Sequence, residues 1–124
     1  MDKVGGLYRS NPTADTFNEI VAATVVACVR ERLAIDPGAK LRILEIGAGT
    51  GGTSAPVLAA LAPYRGAIAE YAYTDLSIAF FQHAERVHAP GNPFLVCRRL
   101  DIEQAIEAQG FASGSYDLVL STNA

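Results

Sequence analysis

Four glycines within six positions follow a short apolar segment that carries a carboxylate near its end. The carboxylate is Glu45, and the glycines are Gly47, Gly49, Gly51 and Gly52. Glycine lets the backbone turn sharply and approach a ligand at points where a Cβ atom would collide with it. The spacing therefore predicts a loop that binds a cofactor.

The flanking residues indicate how this loop is positioned. The segment Leu41–Ile46 is apolar on both faces over a strand-like length, which is typical of a buried parallel strand. A helical pattern begins after Thr53. The loop is therefore expected between the carboxyl end of a strand and the start of a helix, where open α/β sheets bind their ligands.

Polar residues also follow three other predicted strands. These strands are residues 68–73, 94–98 and 116–120, and the polar residues after them are Asp75, Asp101, Ser121 and Asn123. An Asp at such a junction, taken alone, is more typical of a helix cap than of a ligand contact. Asp75 could also accept hydrogen bonds from a ribose diol, and Asp101 with the next backbone N–H could bind the edge of a purine. Together with the glycine loop, the set favours a nucleoside ligand.

The elements between these sites alternate. Helices are predicted at about 12–33, 54–61, 78–87 and 102–109, between the four strands. A βαβαβαβ order predicts an α/β fold, a Rossmann-like parallel sheet with helices on both faces.

Composition narrows the class of protein. The chain has 124 residues, 50% of them hydrophobic, and a net charge of −3, which argues against nucleic acid as a partner. The apolar run from Ile20 to Val29 is too short for a membrane span, and no export signal opens the chain. Cys28 and Cys97 lack metal-ligand spacing, so no metal site is expected. These features indicate a cytoplasmic protein with reduced thiols.

The glycine spacing alone leaves two nucleoside cofactors open. Gly47, Gly49 and Gly52 satisfy the dinucleotide fingerprint, and Asp75 would serve NAD as well as another nucleoside. An NAD-binding subdomain is therefore one interpretation of these residues.

The series of motifs points to another family. This series resembles the ordered motifs of class I S-adenosylmethionine-dependent methyltransferases. Its members are Glu45 before the first glycine, Thr-Asp-Leu-Ser at 74–77, Leu-Asp-Ile at 100–102 and Tyr-Asp-Leu-Val-Leu at 116–120. The full sequences of residues 43–53 and 116–124 are most similar to methyltransferase domains of modular polyketide synthases. In that family the usual substrate is an acyl thioester on a carrier protein, most often methylated at its α-carbon.

The resemblance implies S-adenosylmethionine as cofactor and a role for each matching residue. Glu45 would lie near the ammonium of the methionine portion, and Gly47, Gly49 and Gly51 would form the loop beneath that portion. Ser121 and Asn123 would lie near the sulfonium. Asp75 would bind the ribose and Leu76 would pack on the adenine. Asp101 and the Ile102 backbone would bind the polar edge of the adenine.

The resemblance also implies what lies around this segment. Residues 1–40 would be a leading segment with the first helix, and residues 41–124 the S-adenosylmethionine-binding half of a methyltransferase core, with only its strands 1–4 present. In such synthases a catalytic histidine follows soon after Thr-Asn-Ala, so the base is expected after Ala124. His83 and His88 fall on a predicted helix, where surface or packing roles are expected.

Three expectations and three alternatives follow. The parent domain would act beside flanking synthase domains on a substrate bound to an acyl carrier protein. The 124-residue chain by itself is expected to be inactive and to self-associate through the open edge of its last strand. The alternatives are an O-methyltransferase domain, an inactive structural remnant of a methyltransferase, and the NAD-binding subdomain.

Overall fold

The computed structural model describes residues 12–111 and 114–121, with side chains described from Asp15 onward. A long first helix precedes a parallel sheet whose strands alternate with shorter helices. In chain order the helices and strands are α1 (Pro12–Ile35), β1 (Leu41–Ile46), α2 (Ser54–Ala60), β2 (Ile68–Asp75), α3 (Phe81–Val87), β3 (Leu95–Arg99) and β4 (Leu118–Ser121). Single 3₁₀ segments lie at Ala62–Ala67, Ile78–Phe80 and Glu107–Gln109.

The sheet has the strand order β3-β2-β1-β4, and all of its pairs are parallel. The chain adds β2 and β3 on one side of β1, and β4 on the other side. Such a reversal between β1 and β4 is the point at which open α/β sheets bind ligands. The expected α/β class with a parallel Rossmann-like sheet is confirmed.

Two apolar clusters hold the sheet. The larger one joins the sheet to α1, α2 and α3, and includes Val29, Ile43, Val57 and Tyr71, each fully buried. The smaller one lies on the alternate residues of the strands, where Leu44 and Ala72 pack with Leu100 and Phe111. Both faces of β1 are therefore covered, as its continuous apolar run predicts.

The predicted helix at 102–109 is wrong, because the structure has only the 3₁₀ turn Glu107–Gln109 there. Two side chains bind the backbone groups at the start of this segment. The Asp101 carboxylate accepts from Glu103 N at 3.0 Å, and the Gln109 amide bonds both Asp101 N and Asp101 O at 2.8 Å. Such contacts compete with the helical ladder.

The last strand begins two residues later than predicted, at Leu118. The two preceding residues make side-chain contacts instead. Tyr116 lies under the Arg42 guanidinium at 4.5 Å, and the Asp117 carboxylate accepts from Arg42 N at 2.9 Å. The backbone of Asp117 donates to Arg42 O at 2.8 Å, which aligns β4 beside β1.

No helix in the described part of the chain combines the length and apolarity needed to cross a membrane.

Candidate functional site

The carboxyl ends of all four strands lie at one edge of the sheet, because every pair is parallel. Asp75 ends β2, and Ser121 ends β4 directly opposite Ile46 of β1. Asp101 follows the end of β3. The structure therefore brings these three sequence-predicted residues to the edge that holds the glycine loop, whereas Asn123 lies outside the described residues.

The glycine loop leaves β1 in the left-handed conformation that its glycines permit. Gly49 has φ +56° and Gly51 has φ +89°, a region that costs other residues about 1–2 kcal/mol. A Cβ atom on Gly49 would meet no described atom within 4 Å, so the space beside this residue is open. A Cβ on Gly51 would collide with the His88 ring. The two glycines therefore differ in their surroundings, because Gly49 faces open space and Gly51 faces the His88 side chain.

The neighbouring strand β2 holds the loop. Ala48 N donates to Thr74 O at 2.9 Å, and Gly49 N donates to the Asp75 carboxylate, also at 2.9 Å. The Tyr73 hydroxyl donates to Gly49 O. Asp75 thus contacts the loop directly while its other oxygen accepts from Ser77 N at 3.1 Å. A carboxylate has about four lone-pair sites, so it keeps acceptor capacity for a further donor.

Glu45 lies beneath the loop and is only 1% exposed. Its Oε1 accepts from the Tyr71 hydroxyl at 2.6 Å and from the Ser54 hydroxyl. Burial raises the pKa of the Glu45 carboxyl above 4.5, although the two hydroxyl donors oppose that shift. Burial and the Glu45 carboxylate raise the pKa of the Tyr71 hydroxyl, which therefore stays a donor.

This burial makes a pH-dependent prediction for folding. A raised folded pKa means that the native state binds the proton more tightly, so this stabilisation is present below pH 4.5 and is lost as pH rises through the folded pKa. Urea unfolding at about pH 5 and about pH 8 should show wild type gaining on Glu45→Gln at the lower pH. The exposed Glu103, changed to Gln, is the control and should show no such gain. A difference that stays constant, or reverses, would contradict the burial argument.

Two apolar side chains are exposed at the same edge. Leu76 follows β2 and is 53% exposed, and Ile102 follows β3 and is 50% exposed. Since β2 and β3 are neighbours, the two side chains mark the ends of adjacent strands. Exposed apolar side chains at adjacent strand ends suit contact with a flat apolar ligand group.

Sequence reasoning missed several residues that hold the loop. Tyr73 and His88 contact loop carbonyls, and Asn18 from α1 donates to Gly52 O at 3.2 Å and accepts from the Thr53 hydroxyl at 2.8 Å. None of these residues has a local motif, since each is far in sequence from its partner. His88 is buried, at 6% exposed, and His83 is half-buried.

Cys28 and Cys97 are free and half-buried. Burial raises the pKa of the Cys97 thiol to about 11, with the nearby Glu85 carboxylate adding to the shift. The thiol is therefore protonated and unreactive at neutral pH. Within the described ranges, no group of three or more His, Cys, Asp or Glu residues could hold a metal ion.

Comparisons with known proteins point to one family. Residues 44–124 match a family described as a methyltransferase domain. The chain is 49% identical over 123 residues to polyketide synthase PksM of Bacillus subtilis strain 168, covering 99% of this chain and 3% of that protein. It is 47% identical over 123 residues to polyketide synthase ThaQ of Burkholderia thailandensis, covering 99% of this chain and 6% of that one. The chain thus spans only a small fraction of these relatives.

Two solved structures resemble the whole fold. The DszA carbon methyltransferase has a TM-score of 0.87 at 43% identity, with 98% of this chain and 31% of that chain covered. The CurJ carbon methyltransferase has a TM-score of 0.80 at 34% identity, with 94% of this chain and 29% of that chain covered. The chain therefore belongs to the methyltransferase domain family, as a class I, S-adenosylmethionine-dependent member that is similar to parts of polyketide synthases.

Proposed function

We propose that this chain binds S-adenosylmethionine and forms the cofactor-binding part of a polyketide synthase methyltransferase domain. The parent domain would transfer a methyl group to the α-carbon of an acyl thioester on a carrier protein. One observation carries the proposal: the glycine loop, Asp75 and Asp101 meet at one edge of the parallel sheet, next to the reversal between β1 and β4.

The ribose and methionine portions fit the residues around the loop. Asp75 would accept from the ribose diol through lone pairs that Gly49 N and Ser77 N do not use. The open space beside Gly49 would accommodate the methionine portion close to the backbone of the loop. Gly47 and Gly51 would allow the loop to turn around it. The proposed contact of Glu45 with the methionine ammonium falls to Oε2, because two hydroxyls already donate to its Oε1.

The adenine would lie between the ends of β2 and β3. Leu76 would pack on its face, as the exposure of that side chain permits. Asp101 and the Ile102 N–H would bind its polar edge, and the Gln109 amide holds the Asp101 backbone in place. At the β4 end, Ser121 and Asn123 would lie near the sulfonium.

The sulfonium supplies a methyl group that is already attached to a good leaving group. The residues of this chain therefore need only bind the donor, orient it and exclude water. A carbon acceptor also needs a base to form an enolate. No described side chain is proposed as that base. Carbon rather than oxygen as acceptor is supported by the likeness to two carbon methyltransferases.

Calorimetry tests the cofactor directly. The protein should bind S-adenosylmethionine and its demethylated product at least tenfold more tightly than NAD, by about 1.4 kcal/mol or more. Equal or tighter binding of NAD would overturn the proposal and favour a dinucleotide site.

The relatives are polyketide synthases of which this chain spans only 3% and 6%, which supports flanking synthase domains and a carrier-bound acyl substrate as partners. We propose that this activity takes place in the cytoplasm, in keeping with the two free cysteines, Cys28 and Cys97.

Self-association of the 124-residue polypeptide is proposed at β4. Among the described residues β4 pairs only with β1, and Val119 on it is 58% exposed. An apolar edge with unpaired backbone groups is a template for another strand. Light scattering should give a mass above that of one chain, whereas Val119→Lys, which places a charge on the edge, should lower it. A monomeric wild type at the same concentration would contradict this proposal.

A further inference from the structure

His88 lies behind the glycine loop, at the end of α3. It is 6% exposed, its ring stacks on Tyr73 with centroids 5.8 Å apart, and its Nε2 lies 3.1 Å from Thr50 O. A carbonyl oxygen only accepts, so Nε2 carries the hydrogen and donates. The backbone of His88 is held as well, because Asn92 donates to His88 O at 2.8 Å and accepts from Arg65 Nε at 3.2 Å.

The ring also occupies the space beside Gly51. A Cβ atom on Gly51 would lie 2.7 Å from the Cε1 atom of His88 and closer still to Nε2. The loop backbone therefore rests directly on the imidazole. Gly51 N donates to Ala48 O at 3.0 Å, which closes the same turn from within.

Tyr73 and His88 together hold two successive carbonyls. The Tyr73 hydroxyl donates to Gly49 O, and His88 donates to Thr50 O. Burial raises the pKa of the Tyr73 hydroxyl, so it remains a donor at neutral pH. Because a peptide unit is planar and trans, fixing Gly49 O also fixes the direction of Thr50 N–H on the opposite side of the loop.

We propose that His88 is a positioning residue for the cofactor loop, which sets the loop conformation through Thr50 O and through its ring against Gly51. Its effect on cofactor affinity rests on the function proposed above, whereas its effect on the loop does not. His88 itself lies on the helix side of the loop and needs no contact with the ligand.

Three variants separate the parts of this role. His88→Phe keeps a ring against Tyr73 and loses the donor, and His88→Gln keeps a donor and loses the ring. His83→Phe is the matched control, because His83 meets the His88 ring edge-on at 5.6 Å, and its Nε2 has no hydrogen-bond partner among the described residues.

Hydrogen exchange of the amides of residues 47–52 is the first measurement, made without ligand. His88→Phe should raise their exchange about three- to tenfold, as loss of one hydrogen bond predicts, while the amides of β2 stay unchanged. His88→Gln restores the donor but not the ring against Gly51, so its exchange should lie between those of wild type and His88→Phe. His83→Phe should leave the exchange unchanged. Equal exchange in wild type and His88→Phe, or an equal rise in His83→Phe, would overturn the proposal.

The affinity for S-adenosylhomocysteine, measured by calorimetry, is the second readout. It should fall about three- to tenfold in His88→Phe and recover in part in His88→Gln, which restores the donor but not the ring. Binding that is unaffected in His88→Phe would overturn the positioning role. If the unchanged protein binds no S-adenosylhomocysteine while loop exchange responds as expected, the proposed function fails and the role of His88 in the loop stands.

Discussion

Asp75→Ala is expected to weaken binding of S-adenosylmethionine by about 1.5–3 kcal/mol, which is about 10- to 150-fold. The proposed ribose contact is charge-assisted, and removing it leaves the diol without its acceptor. The same change frees Gly49 N, which now donates to the carboxylate at 2.9 Å, so the loop also loses a support from β2. Calorimetry on the folded variant, with circular dichroism to confirm the fold, measures the effect.

Two further variants interpret the result for Asp75. Asp75→Asn keeps one acceptor oxygen of the two that now bind Gly49 N and Ser77 N, so its loss should be smaller than that of the alanine variant. Asp36→Ala removes a carboxylate with a similar local contact at the opposite edge of the sheet and should leave affinity unchanged. Affinity within about twofold of wild type in Asp75→Ala would show that this carboxylate only caps the loop after β2.

Gly51→Ala is expected to destabilise the protein by about 2–5 kcal/mol. The left-handed φ of +89° costs a residue with a Cβ about 1–2 kcal/mol. The collision with the His88 ring adds about 1–3 kcal/mol, because the ring is itself packed against Tyr73 and has little room to move. Chemical denaturation, with the slope of the transition checked for change, gives the difference in free energy of unfolding.

Gly52 provides the matched control for Gly51. A Cβ atom on Gly52 would meet no described atom within 4 Å, and its φ is not positive. Gly52→Ala should therefore change stability by no more than about 0.5 kcal/mol. In a His88→Ala background the collision at Gly51 is gone, so the cost of Gly51→Ala should fall to about 1–2 kcal/mol. An undiminished cost there would show that backbone strain alone makes Gly51 necessary.

Several elements could be predicted because their signals are local. The strand Leu41–Ile46 was predicted with the bounds that the structure has, since its apolar residues and the glycines after it are contiguous. The start of α1 at Pro12 also agrees, as proline fits the first turn of a helix. The helix expected at 102–109 is wrong because its apolar pattern ignored two side chains that bind the backbone at the start of this segment. The Asp101 carboxylate accepts from Glu103 N, and the Gln109 amide binds both Asp101 N and Asp101 O.

The amino-acid sequence by itself determined which chemical groups stand at the ends of the strands. The glycines after β1, Asp75 at the end of β2 and Asp101 after β3 follow from short-range patterns, and parallel strands necessarily bring their carboxyl ends to one edge. The likeness of these motifs to methyltransferases needed no coordinates either.

Only the tertiary structure decided what holds these groups in place. Glu45 meets Tyr71, 26 residues away, and Thr50 meets His88, 38 residues away. Each pair forms because the crossover connections bring residues from distant parts of the chain next to each other. No local periodicity in the sequence encodes such long-range contacts. A buried carboxylate between two hydroxyls and an imidazole under a glycine therefore emerge only when the chain has packed, since both depend on the exclusion of water from contacts between distant segments.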